Sequence, residues 1–161
     1  AAPPTRTVEP AQDPLSAFEP PAGFVPYQDS VTGISVFIPA TWVVTGIVPG
    51  EYAILQSYPE DKYVCGEARE PGDTKCDLTI RPEDVSLSDT IQAQRTDPTT
   101  TIVSEREVIL RSGEPGTRME INTMGPAMVL FAEVNARTVV LICFGDFTPF
   151  DEIATTLGGS N

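Results

Sequence analysis

Gly33-Ile34-Ser35-Val36-Phe37-Ile38-Pro39-Ala40-Thr41-Trp42 decides how this chain is read. Ile34, Val36 and Ile38 alternate with Ser35 and Phe37, the period-2 pattern of a strand with one buried face. Pro39 has no N–H to give to a ladder and ends the strand. Trp42, the only tryptophan of the chain, follows at once. The stretch describes a scaffold and carries no chemistry of its own.

Working outward, the pattern is strand-rich from Phe24 onward. Residues 42–44 and 52–57 read as short strands either side of a turn at Pro49-Gly50, and residues 77–81 place Leu78 and Ile80 at strand spacing. Residues 102–110 are β-branched and largely alternating, and Glu114-Pro115-Gly116-Thr117 has Pro and Gly where a type II turn wants them. Residues 118–123 and 128–134 alternate again. Asn135-Ala136 predicts a tight turn into residues 137–144, which are apolar on both faces. Connections this short exclude parallel pairing, so the sheet is an antiparallel meander with its last strand central.

Two helices are expected as cover. Ser86-Leu87-Ser88-Asp89 opens the first, running to about Arg95 with Leu87 and Ile91 on one face. Thr148 is the expected N-cap of the second, Pro149 takes its first position, and Phe150, Ile153, Ala154 and Leu157 form its apolar stripe before Gly158. The expected fold class is therefore α+β: a central antiparallel meander flanked by helices as an α/β/α sandwich.

Composition narrows function. The 161 residues suit one domain plus a tail, and none of their apolar runs is long enough to span a bilayer. Residues 1–26 hold seven of the sixteen prolines without apolar periodicity, so they read as a Pro-rich linker ahead of a single domain at 27–161. With no methionine at residue 1, the expectation is that a preceding segment has been removed. Asp and Glu outnumber Lys and Arg by 23 to 10, a formal charge of −13. Such a surface repels phosphate backbones and anionic lipid, which argues against nucleic acid as a partner, although acidity alone also serves solubility. Histidine is absent, which removes Ser-His-Asp and Cys-His hydrolases and His-ligated zinc.

Cys65 and Cys76 bracket a polar ten-residue loop, and this spacing predicts a disulfide between them and an oxidising, extracytoplasmic compartment. Cys143 is then left as a small buried hydrophobe. A Pro-rich stalk before a disulfide-bearing domain is the arrangement of a secreted or lipid-anchored bacterial protein.

The Gly-hydrophobic-Ser-hydrophobic-x-hydrophobic-Pro-x-x-Trp spacing of residues 33–42, with Tyr27 upstream, resembles the start of PsbP/Mog1-like domains. The likeness extends through the sheet to the closing helix and its Phe150. It is nearer the stalked extracytoplasmic bacterial members than the photosystem or Ran-binding ones. The resemblance implies accessory, protein-binding work rather than catalysis, and it implies no cofactor. Metal sites attributed to histidine in relatives cannot be carried over to a chain without histidine.

Residues 51–84 carry nine acidic side chains against four basic ones. Oxygen-only ligands suit Ca²⁺, but there is no Asp-x-Asp-x-Asp-Gly loop, and a solvated face is the favoured reading. Paired carboxylates could serve a hydrolase only at a separation that sequence does not give. The alternatives are thus a small-ligand or Ca²⁺-binding domain, or a carboxylate-dependent hydrolase. The reading adopted is a non-catalytic, monomeric, extracytoplasmic accessory domain. It binds a basic protein partner through Glu67, Glu70 and Asp73, with no metal or catalytic residue assigned.

Overall fold

The computed structural model describes residues 19–63 and 70–159. The smaller of its two antiparallel sheets consists of β1 (Phe24–Gln28), β2 (Ile34–Pro39) and β10 (Gly158–Gly159), in the order β1-β2-β10. The larger contains β3 (Val43–Val48), β4 (Tyr52–Gln56), β5 (Thr74–Ile80), β6 (Thr101–Ile109), β7 (Pro115–Asn122), β8 (Pro126–Val134) and β9 (Arg137–Gly145). Its order is β3-β4-β5-β9-β8-β7-β6: two meanders joined where β5 pairs with β9. The predicted central position of the strand beginning at Arg137 holds.

Helix α1 (Leu87–Thr96) links β5 to β6, and α2 (Phe150–Thr155) follows β9. No helix among the described residues is long and apolar enough to cross a membrane.

The main core lies between the sheets. Ile34, Val36 and Ile38 of β2 point inward and meet Leu55, Leu78, Leu130 and Leu141 of the larger sheet, with Phe150, Ile153 and Leu157 closing one side. Burying a side chain of this kind contributes roughly 2 kcal/mol, which makes the alternation read in residues 34–38 the dominant constraint on β2. The opposite face carries a smaller core, in which Ile91 of α1 packs with Met119, Ile121, Val129 and Phe131. Ser86 caps α1 as expected, its side chain accepting from the Asp89 N–H at 3.1 Å.

The α/β/α sandwich does not form. The architecture is β-rich, and the inner face of the large sheet is covered chiefly by a second sheet, with α2 only six residues long. Two local features explain the shorter helix. The Thr148 hydroxyl donates to Asp146 Oδ1 at 2.7 Å instead of capping, so the cap position falls to Pro149. At the other end, Thr156 turns to β2: its Oγ1 accepts from the Phe37 N–H at 2.8 Å and donates to the Ile153 carbonyl at 2.6 Å. Gly158 and Gly159 then pair with Ser35 and Ile34.

The expected turn at residues 114–117 also lies earlier. Leu110 and Glu114 close it, with Gly113 at φ +84°, and Pro115 and Gly116 already belong to β7. Asn135 and Ala136 do make the tight turn between β8 and β9, at φ +50° and +61°. The tail boundary drawn at residue 26 falls inside β1, where Phe24, Val25 and Pro26 pair with Pro39, Ile38 and Phe37. Residues 1–18 lie outside the described residues.

Candidate functional site

At the end of the molecule where β2 and β9 stop and β3 and β5 start, a cleft of about 370 Å³ opens between the two sheets. Its apolar lining comes from Phe24, Pro39, Trp42 and Pro149, and its acidic lining from Asp146 and Glu152. The motif that decides the fold builds the wall. Pro39 ends β2, the Trp42 N–H donates to the Pro39 carbonyl at 2.9 Å, and this tight turn delivers the half-buried indole to the rim.

The floor depends on a close backbone approach. Gly145 has φ +96°, and a Cβ there would lie 2.2 Å from the Asp73 carbonyl oxygen, so only glycine fits. The Asp146 N–H then donates to that carbonyl at 3.0 Å, and Thr74 Oγ1 donates to the Asp146 carbonyl at 2.7 Å. Asp146 Oδ1 accepts from both the N–H and the hydroxyl of Thr148, and the N–H bond leads the causes that hold this carboxyl below its usual range. Its Oδ2 and both Glu152 carboxylate oxygens have no hydrogen-bond partner among the described residues, and neither does the indole N–H of Trp42.

The predicted acidic loop adjoins this cleft, since Gly72 and Thr74 line it on either side of Asp73. Asp73 itself is committed inward. It accepts from Lys62 Nζ at 2.6 Å and from the Tyr63 hydroxyl, and these two donors, Lys62 first, lower its pKa. Glu70 is exposed and meets the same Lys62 at 3.0 Å. Lys62 is correspondingly held charged, chiefly by Asp73 and then by Glu70. Glu67 and Cys65 lie outside the described residues.

The disulfide is a correction. Cys76 is bonded to Cys143, not to Cys65. The two residues are directly opposite each other on β5 and β9, with Cα atoms 4.0 Å apart, and both are fully buried. Strand register brings together thiols 67 residues apart, a proximity that spacing along the chain cannot show. Cys143 is thus half of the cross-link between the two central strands.

The other end of the sheets holds a carboxylate the sequence reading passed over. Asp29 is buried in the β1–β2 turn and accepts from the Gly50 N–H at 2.7 Å, the Thr32 N–H at 2.8 Å, the Thr32 hydroxyl at 2.7 Å and the Val31 N–H at 3.2 Å. Burial pushes its pKa up, but these donors together outweigh it and leave the carboxyl below its usual range. An Asp three residues before Thr in a Gly-closed turn was the available signal. Among the described residues no three Cys, Asp or Glu side chains converge to hold a metal ion.

No protein-family model and no curated protein matches the sequence. Among solved structures, the solution structure of cyanobacterial PsbP from Synechocystis is similar at a TM-score of 0.54 and 13% identity, covering 86% of this chain and 94% of that one. A crystal structure of a Pseudomonas aeruginosa protein of unknown function aligns at a TM-score of 0.42 and 8% identity, over 80% and 87% of the two chains. At these identities the first likeness shows the fold alone.

Proposed function

With a PsbP-like fold as its frame, we propose that this chain is a non-catalytic accessory domain that works outside the cytoplasm and binds a basic protein partner. The fold supports an accessory role. The buried Cys76–Cys143 cross-link supports an oxidising compartment, where such bonds persist. The Pro-rich segment ahead of β1 serves as the stalk of a lipoprotein-type or secreted chain, and the chain from Phe24 onward as its single domain.

One observation carries the choice of partner. The Asp146 and Glu152 carboxylates line a cleft that Gly72 and Thr74 of the acidic loop also line, in a chain whose formal charge is −13. Glu67 and Glu70 are the loop's partner-binding residues in this reading, while Asp73 is held by Lys62. Charge of one sign gathered at one end speeds encounter with the opposite sign, an effect that salt weakens.

The test is retention of partners from a cell-envelope fraction on the immobilised chain at low and at high salt, compared with a Glu70→Gln/Glu152→Gln variant. Loss of the retained partners on raising salt and on neutralisation is the expected result. Retention indifferent to both contradicts the acidic end as the binding surface. Turnover of any substrate that is abolished by changing a single carboxylate overturns the non-catalytic reading.

A further inference from the structure

Two further clefts of about 370 and 340 Å³ show what sets the Trp42 cleft apart. The first is lined by both Glu51 and Arg137 and the second by both Asp97 and Arg81, so each holds charges of both signs. The Trp42 cleft contains two carboxylates and no basic residue. Its volume is at the small end for ligand pockets, suited to one side chain rather than to a large ligand. An indole is the strongest aromatic partner for a cation, and no Lys or Arg of the described residues lies over that of Trp42.

We propose that the Trp42 cleft is a receptor for a single arginine side chain of the partner, whose guanidinium stacks on Trp42 and donates to Asp146 and Glu152. The inference rests on the protein-binding reading above and names the group that is bound. Arginine fits better than lysine for two reasons. Its planar guanidinium stacks flat on an aromatic ring, and its fork of N–H donors reaches two carboxylates at once, whereas an ammonium is a strongly hydrated point charge. The apolar rim of Phe24, Pro39 and Pro149 suits the methylene stem behind the charged head. Asp146 is pre-aimed, because Thr148 fixes its other oxygen. The cleft therefore gives up little freedom on binding.

Trp42 is the only tryptophan, so its fluorescence reports on this cleft alone. The probe is N-acetyl-argininamide titrated into the full chain, with the neutral isostere N-acetyl-citrullinamide and N-acetyl-lysinamide as comparisons. Expected is a saturable change in Trp42 emission with the arginine derivative, with Kd in the range of about 1–10 mM for so small a ligand. The lysine derivative binds at least several-fold more weakly, and citrulline produces no saturable change. Glu152→Gln, which removes a carboxylate with no partner in the fold, weakens arginine binding about five-fold or more while thermal unfolding is unchanged. No saturable change with arginine, an equal response to citrulline, or an affinity indifferent to Glu152→Gln overturns the proposal. If Trp42 stays silent while partner retention remains sensitive to salt, only the arginine receptor fails. If retention is itself insensitive, the acidic end fails as the surface that binds the partner.

Discussion

The two ends of the sheets treat their carboxylates in opposite ways. At one end Asp29 is buried under four donors: those from Val31 and Thr32 close its own turn, and the Gly50 N–H ties that turn to the one between β3 and β4. At the other end Asp146 spends one oxygen on Thr148 and leaves the second open, and Glu152 spends neither. A carboxylate saturated by backbone N–H groups stabilises the fold and has nothing left for a ligand. One that is held in place but unsaturated keeps its binding capacity. The same residue types thus serve architecture at the Gly50 end and recognition at the Trp42 end.

The frame between the ends is expected to be the most costly part to break. Replacing both Cys76 and Cys143 by alanine removes a cross-link spanning 67 residues, worth about 4 kcal/mol in the chain-entropy picture. Thermal unfolding should fall by about 10 °C. An unchanged midpoint would show that the bond adds nothing to the central β5–β9 pairing.

Next in size is the saturated carboxylate. Asp29→Asn leaves buried N–H groups facing an amide, and should cost about 2–3 kcal/mol at neutral pH. The pH dependence follows from the lowered folded pKa. The stability that Asp29 contributes is fully present above its unfolded value, near 4, and is lost as pH falls through the lower folded value. The gap between wild type and Asp29→Asn should therefore narrow on acidification below about pH 4 in urea unfolding. A gap constant from neutral pH to pH 2 would remove the carboxylate's charge from the account.

A smaller effect tests the turns that set strand register. Ala136 sits at φ +61° beside Asn135, where Asn-Gly is the preferred pair. Ala136→Gly should raise stability by about 0.5–1 kcal/mol, or some 2–3 °C, without altering arginine binding at the far end. A change in that binding would mean the two ends are coupled.

Much of this was legible in the chain. The alternation of residues 34–38, the Asn135-Ala136 turn, the Ser86 cap and the central place of β9 each depend on neighbours in sequence, and each is found. What was missed depends on partners far apart. The Cys76–Cys143 bond needs the β5–β9 register, and β10 is two glycines with no pattern of their own, paired because the chain returns to β2. The second sheet was read as part of one meander because nothing in residues 24–39 says which strand lies across from it. Of the acidic loop, Asp73 is committed to Lys62 and Tyr63, and the open carboxylates of the adjoining cleft come from Asp146 and Glu152. Nothing in their sequence neighbourhood brings those two together with Trp42; the cleft does.

The comparison between the ends is most directly tested by nuclear magnetic resonance, with an arginine-containing basic peptide titrated into the ¹⁵N-labelled chain. The Trp42 indole N–H and the amides of Thr148 and Glu152 should shift progressively and saturate, while the amides of Gly50 and Thr32, held by Asp29, stay fixed in the same spectra. Shifts that appear first at Gly50 and Thr32, or a Trp42 indole that never moves, would contradict it.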